Sequence, residues 1–226
     1  MTLKNRFEAI AQRIAAAEKA AGRPTGSVML VAVSKKHPAS AIRQLASLGQ
    51  RDFGESYLDE ALDKQRQLAD LSLNWHFIGP IQSNKTRGIA ENFDWVHSVD
   101  RIKIADRLSA QRPADREPLK VFIQVNIDRE QSKSGVMPEQ LTELLAHVRS
   151  LPRIEPVGLM TIPRPAAAGG QPRLAFDRLR QLRDDCATAD CPLPLLSMGM
   201  SDDLDEAVAA GATHVRIGTA LFGARE

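Results

Sequence analysis

The sequence predicts an α/β fold: a single-domain (β/α)8 TIM barrel with an extra N-terminal helix, filling residues 1–226. Strand-like and helix-like segments alternate along the whole chain, which indicates a parallel sheet. The strand-like segments number eight, which favours a closed barrel over an open doubly wound sheet. The 226 residues sit at the short end of the barrel range. No G-x-G-x-x-G follows the first strand, so a dinucleotide-binding arrangement lacks its fingerprint.

The elements follow from local pattern. An amphipathic helix over Leu3 to Ala21 is stopped by Gly22 and Pro24. The run Val28 to Lys35 is β-branched and apolar and reads as a buried strand, with Lys36-His37-Pro38 as its exit loop. A helix over Ala39 to Leu48 follows, with Gly49 in the C-cap position. Strand Asp52-Phe53-Gly54 precedes a helix over Leu58 to Ala69, and strand Asn74 to Ile78 precedes one over Asn84 to Ala90. Strand Asp94 to Val99 leads to a helix over Arg101 to Ala110, with Asp100 as its expected N-cap. Strand Leu119 to Ile127 leads to a helix over Pro138 to Ser150, with Pro138 at or near N1. Strand Ile154 to Ile162 leads to a helix over Arg173 to Ala187. Strand Leu195 to Met198 leads to a helix over Asp202 to Ala210, and strand Thr213 to Ile217 to a short terminal helix.

Composition narrows the function. Hydrophobic content of 43 % and charged content of 26 % are those of an ordinary globular protein. A net charge of +2 with no basic run leaves no footprint for nucleic acid, and no apolar stretch is long enough for a membrane span. The N-terminus enters a charged amphipathic segment instead of a signal peptide, so a cytoplasmic location is expected. Cys186 and Cys191 make neither a disulfide framework nor a metal cluster. His37, His76, His97, His147 and His214 have no metal-ligand spacing; His76 and His214 read as satisfied core histidines of the barrel. No metal is expected. The low-complexity stretch 163–172 follows the sixth strand, at the active face of a barrel, where a mobile lid and a plain loop are both open readings.

The ends of the strands carry the chemistry. With period two, Met29, Val31, Val33 and Lys35 share a face, and a partly dry amine at the end of such a face has a lowered pKa. A neutral amine can attack an aldehyde to form a Schiff base. A lysine there can equally extend to solvent along its apolar stem. In the last strand Val215 and Ile217 face the helices, and His214 and Arg216 point inward. An interior guanidinium needs an acceptor because it keeps its proton. Gly218-Thr219 then opens the terminal helix, where backbone N–H groups can approach an anion. Ser201, in Gly199-Met200-Ser201-Asp202-Asp203, sits in a second such loop and reads both as a helix N-cap and as a phosphate ligand. An amine, an inward arginine and two anion-friendly loops suit a phosphorylated aldehyde, and pyridoxal 5′-phosphate (PLP) fits best. An arginine facing the pyridine nitrogen leaves the ring largely unprotonated and a poorer electron sink than one facing a carboxylate.

The chain also carries recognisable motifs. They are Val31-Ala32-Val33-Ser34-Lys35, Phe53-Gly54-Glu55-Ser56-Tyr57, Trp75 to Lys85, Val96-His97-Ser98-Val99-Asp100 and Gln124-Val125-Asn126-Ile127. Further along come Ser132-Lys133-Ser134-Gly135, Gly158 to Pro163, Ser197-Met198-Gly199-Met200-Ser201 and Arg216 to Gly223. In this order they closely resemble the pyridoxal phosphate homeostasis protein (PLP-binding protein) family over residues 3 to 225. The resemblance implies a barrel like the N-terminal domain of alanine racemase, with Lys35 as the Schiff-base lysine. It implies that Ser201, Gly218 and Thr219 contact the phosphate and that Arg216 faces the ring nitrogen. The family's Gly-Glu-Asn-Tyr reads Gly54-Glu55-Ser56-Tyr57 here, and the shorter Ser56 puts a direct contact from that position in doubt.

Lys85 and Lys133 near the mouth read as assistants of cofactor exchange or as solvated lysines, and Glu55 and Tyr57 as shapers of the pocket. The expected function is a non-catalytic PLP binder that limits free aldehyde and delivers PLP to apo-enzymes, with a monomer as the expected state. A racemase-like enzyme is the alternative. It requires an acid–base group on each face of the substrate. Alanine racemase takes its second base from a C-terminal β-domain, which is not expected in a sequence ending four residues after Phe222. A Schiff-base aldolase without cofactor is the third reading.

Overall fold

The computed structural model describes residues 1–130 and 133–223, so Ser132 of the family-like motif and the last three positions of the 1–226 span lie outside the described residues. Eight parallel strands close into a barrel in sequence order, β1 through β8. They are β1 Met29–Val33, β2 Asp52–Glu55, β3 Asn74–Phe77, β4 Trp95–Val99, β5 Leu119–Gln124, β6 Ile154–Met160, β7 Leu195–Ser197 and β8 His214–Ile217. Closure is made by β1 and β8, which pair Met29 with His214 and Val31 with Arg216. The α/β barrel expectation therefore holds.

The helices are α1 Leu3–Ala20, α2 Ala39–Ser47, α3 Leu58–Gln67, α4 Thr86–Asn92, α5 Ile102–Gln111, α6 Leu141–Ser150, α7 Pro172–Cys186, α8 Leu204–Ala209 and α9 Thr219–Phe222. The α1 helix is the extra one, and its buried face of Ile10, Ile14 and Ala17 packs on α8, α9 and α2. Gly49 does follow α2, with φ of +100°. The caps at Asp100 and Ser201 differ from expectation, and Pro138 stands at the start of its helical segment. Asp100 does not cap α5: Arg101 takes the N-cap place, and Asp100 instead accepts from its guanidinium at 2.5 Å. Pro138 opens a 3-10 turn over Pro138–Gln140, and α6 proper starts at Leu141. Ser201 does not cap α8 either. That place belongs to Asp203, whose Oδ1 accepts from Met200 N at 2.5 Å.

Alternation along the strands separates two apolar clusters. Val121 and Ile123 of β5 join the large core between sheet and helices. Phe122, between them, belongs to a small cluster with Val157 and Met160, flanked by Trp95 and Leu195, in the barrel interior. This interior is unusually polar, since His76, His97, Ser197, His214 and Arg216 are all buried there. Every such group has to find a partner, and those partners shape the site.

Candidate cofactor site

The exits of β1 and β8 and the loop after β7 meet at the C-terminal mouth of the barrel. They enclose a cavity of about 470 Å³ lined by Lys35, Ser201, Arg216, Gly218 and Thr219, with Val33, Ile78, Ile162 and Met200 as apolar walls. All five residues singled out from sequence therefore line one space. Lys35 lies two positions past the end of β1, on the same side as Val33, and is half-buried. Its neighbours are tightly fixed. Ser34 N donates to Gly54 O at 3.0 Å, and Ser34 Oγ to Glu55 Oε1 at 2.7 Å. Lys36, at φ of +64°, donates its N–H to Glu60 Oε1 at 2.5 Å.

Beneath that loop, Lys64 Nζ reaches Ser34 O at 2.8 Å, Glu55 Oε1 at 2.7 Å and Glu60 Oε1 at 2.6 Å. Lys64 and Glu55 are both buried, so this ion pair is shielded from solvent. Burial pushes the Glu55 carboxyl above the usual carboxylate range despite the opposing pull of Lys64. Glu55 thus supports the Lys35 loop from below. Tyr57, by contrast, is 51 % exposed and Ser56 is outside the cavity lining.

Arg216 enters from below. Its Nη1 donates to Ser197 Oγ at 2.7 Å and its Nη2 to Thr161 O at 2.9 Å. Burial lowers its pKa to about 10, which still leaves a cation at neutral pH. Ser197 continues to the interior histidines. His97 Nδ1 lies 2.7 Å from Ser197 Oγ, His97 Nε2 3.0 Å from His76 Nδ1, and His76 Nε2 3.1 Å from Asp52 Oδ1. His76 is the satisfied core histidine expected. His214 is satisfied on one side only: Nδ1 meets Thr213 Oγ1 at 2.9 Å, while buried Nε2 has no partner. Thr213 Oγ1 also lies 3.2 Å from Leu196 O, to which its proton can go, so Nδ1 carries the imidazole proton and Nε2 buries only a lone pair. Burial pushes His214 down to about 3 and His97 well below the ordinary histidine range.

Two loops form the other wall. Ser201 Oγ is 3.4 Å from Ala220 N, a long bond that leaves the hydroxyl able to turn to a ligand. Gly199, at φ of +96°, turns the loop, and a Cβ there would come within 2.5 Å of Ala207 Cβ. Gly218 brings its backbone close to Val33, since a Cβ would lie 3.3 Å from Val33 O. The α9 helix is a single turn, so anion binding here falls to individual hydroxyl and N–H groups.

Sequence reasoning missed what braces these loops. Arg13 of α1 donates to Ser201 O at 2.6 Å and grips Asp205 with Nε and Nη2 at 3.1 and 2.7 Å. Arg6 donates to Leu221 O at 2.7 Å and Phe222 O at 2.9 Å. The signal was the spacing Arg6-x6-Arg13, which puts both arginines on one side of the helix two turns apart.

The segment 163–172 supplies no residue to the lining of the main cavity. That segment makes a 3-10 turn over Ala166–Ala168 and lines a separate space of about 200 Å³ with Asp128 and the start of α7. Lys85 also stands off, paired with Asp59 at 2.9 Å. Lys133 lines a smaller space of about 180 Å³ that shares Ile78 and Ile162 with the main cavity, and it pairs with Glu130 at 2.6 Å. Cys186 and Cys191 are both unbonded thiols. Among the described residues no group of three His, Cys, Asp or Glu side chains could hold a metal ion, and no helix is long and apolar enough to cross a membrane.

The model of the alanine racemase N-terminal domain family matches residues 6–226. The pyridoxal phosphate homeostasis protein of Pseudomonas aeruginosa is 57 % identical over 225 residues, covering 100 % of this chain and 96 % of that protein. The chain belongs to the pyridoxal phosphate homeostasis protein family. The family's Escherichia coli K12 member is 48 % identical over 223 residues, covering 96 % of this chain and 94 % of its own. Among solved structures, PipY of Synechococcus elongatus PCC7942 with PLP bound superposes with a TM-score of 0.83 at 37 % identity, covering 98 % of this chain and 100 % of PipY. A similar barrel has thus been seen with PLP bound.

Proposed function

We propose that this protein holds PLP in the cavity at the mouth of its barrel and serves intracellular PLP homeostasis, without catalysing amino-acid turnover. The convergence of Lys35, Arg216, Ser201, Gly218 and Thr219 on one cavity of about 470 Å³ carries this reading. The chemistry of the donors fits the group. When bound, PLP supplies an aldehyde that condenses with a lysine amine and a dianionic phosphate that anchors it. Lys35 offers the amine. The Ser201 hydroxyl and the backbone of Gly218 and Thr219 offer donors to the phosphate, and Arg216 offers a fixed cation to the ring nitrogen. Residues 1–226 act together as one PLP-binding unit.

The non-catalytic part rests on the lining. Among the described lining residues the ionisable side chains are Lys35, Asp202 and Arg216, and Asp202 is exposed beside Ser201 on the phosphate side. An opposing acid–base group of the kind racemisation needs is not among them. The protein keeps PLP as a cytoplasmic monomer and passes it to PLP-dependent apo-enzymes.

Borohydride reduction of the PLP-loaded protein, followed by peptide mass mapping, tests the site. The pyridoxyl group is expected on Lys35, and a label confined to Lys36, Lys85 or Lys133 overturns the assignment. Alanine, serine and glutamate, followed with saturating PLP for loss of chirality or amine, test the function. Turnover of about one per second or faster, within the enzyme range, contradicts it.

A further inference from the structure

We propose that Asp52, His76, His97 and Ser197 form a one-directional hydrogen-bond wire through the barrel that presets Arg216 as an oriented donor toward a ligand's ring nitrogen. The inference rests on PLP as the ligand and assigns four positioning residues, none of which lines the cavity. The direction follows from donor and acceptor capacity in neutral imidazole rings. A guanidinium only donates, so at 2.7 Å Ser197 Oγ accepts from Arg216 Nη1. The single hydroxyl proton of Ser197 is then left for His97 Nδ1, also at 2.7 Å. With Nδ1 accepting, neutral His97 carries its proton on Nε2 and donates it to His76 Nδ1 at 3.0 Å. His76 in turn donates from Nε2 to Asp52 Oδ1 at 3.1 Å.

The far end agrees independently. Asp52 Oδ1 also accepts from Asn74 Nδ2 at 2.9 Å, and as a carboxylate it accepts only. The Asp52 end therefore imposes the order of protons in neutral rings, and the Arg216 end is compatible with it. Burial outweighs the pull of Asp52 and lowers the pKa of His76, and the same desolvation lowers His97, so both rings stay neutral. A second proton on His76 would sit on Nδ1 and set two N–H groups against each other across the 3.0 Å contact, and one on His97 would sit on Nδ1 and take the place of the Ser197 hydroxyl proton. His76 is held flat against Trp95, with ring centroids 5.3 Å apart and planes 9° apart, which fixes the ring orientation the wire needs.

The consequence concerns which ligands the pocket accepts. Ser197 Oγ and Thr161 O hold two guanidinium donors, so Arg216 cannot swing aside. A fixed cation with only donors selects a ring nitrogen that offers a lone pair and rejects a pyridinium. Aligned bonds ending on the Asp52 carboxylate polarise one another and balance the buried positive charge.

Two measurements test the wire. In the PLP-free protein, long-range 1H–15N correlation on labelled histidine should report the Nε2–H tautomer for both His76 and His97. An Nδ1–H tautomer at either ring overturns the wire whatever the ligand is. In protein loaded with 15N-labelled PLP, Ser197→Ala should shift the ring-nitrogen resonance and weaken PLP about five- to tenfold. Asp52→Leu should shift the same resonance from the opposite end of the barrel, while Asp52→Asn, which keeps an acceptor, should restore it toward the wild-type position. A ring-nitrogen resonance unmoved by Ser197→Ala in protein that still binds PLP reduces the four residues to packing. Failure of wild-type protein to take up PLP defeats the ligand assignment and leaves the tautomer result standing by itself.

Discussion

Arg13, in the helix that precedes the barrel, donates to the backbone carbonyl of Ser201 at 2.6 Å and so ties α1 to the loop that faces the phosphate end of the cavity. The same guanidinium holds Asp205 at the start of α8, which fixes the loop at both of its ends. Arg13→Ala removes both contacts. The ion pair is half-exposed and contributes little, whereas the charged bond to Ser201 O is worth about 1.5–3 kcal/mol in stability. Part of that appears in ligand retention because the loop must be reordered on binding. We expect PLP affinity to fall about three- to tenfold, with the Lys35 adduct still formed, as read by fluorescence titration and by borohydride trapping. Unchanged affinity would mean that the loop is held by Gly199 and α8 alone.

The Lys64–Glu55 pair beneath the Lys35 loop should be more sensitive. Lys64→Met leaves Glu55 buried with only the Ser34 hydroxyl on one oxygen, and its other oxygen, Oε2, already has no partner. Breaking a buried pair from one side costs about 3–5 kcal/mol. The double variant Lys64→Met/Glu55→Gln removes the stranded charge and should recover part of the loss. Urea midpoints for the two variants read this directly, and a double variant no better than the single one would place the cost in lost packing.

Gly199→Ala addresses the turn between β7 and α8. At φ of +96° an alanine is strained, and its Cβ would meet Ala207 Cβ at 2.5 Å. Strain of about 1–2 kcal/mol plus overpacking of about 1–3 kcal/mol should lower stability by about 2–5 kcal/mol. The expected signature is a lower urea midpoint at constant m-value, together with weaker PLP binding as Ser201 is displaced. A midpoint within error of wild type would show that the loop relaxes freely.

What the sequence made legible was whatever local pattern encodes. The apolar run ending in Lys35 and the alternation of His214, Val215, Arg216 and Ile217 direct the amine and the guanidinium toward one cavity. The anion-facing loops were equally plain because their glycines precede hydroxyl residues. What stayed hidden depends on closure. Asp52, His76 and His97 stand on the neighbouring strands β2, β3 and β4, whereas Ser197 on β7 meets His97 only across the barrel, 100 residues away along the chain. Which cavity the stretch 163–172 lines was hidden for a related reason: composition marks a loop as irregular but not the direction it leans. Caps at Asp100 and Ser201 were misjudged because a neighbouring arginine and Asp203 compete for the same groups.

Acid should unfold the protein earlier than its carboxylates alone would dictate. His76, His97 and His214 are all buried and neutral, and burial lowers each of them, His214 to about 3. In the unfolded chain each titrates at about 6.5. A group whose pKa is lower when folded binds more protons when unfolded, so the stability it supports is complete above about pH 6.5 and declines as pH falls below that value. For His214 the loss continues until its folded pKa near 3 is passed. Each such histidine contributes at most about 1.4 kcal/mol per pH unit within its window. Glu55 acts in the opposite sense: its raised pKa means that protonation near pH 4.5 and above relieves a buried charge and opposes the loss. Asp52 adds to the loss only at lower pH, because the His76 and Asn74 hydrogen bonds outweigh burial and hold its carboxyl below 3.8. Between pH 6.5 and 5 the histidines therefore dominate. Urea midpoints at pH 7.5, 6.5, 5.5 and 5.0 and constant ionic strength should fall steadily below pH 6.5, and His214→Leu should flatten the slope by up to one proton's worth. A midpoint that stays level down to pH 5 would mean that the interior histidines take up protons without unfolding, which is incompatible with the donor–acceptor order running from Arg216 to Asp52.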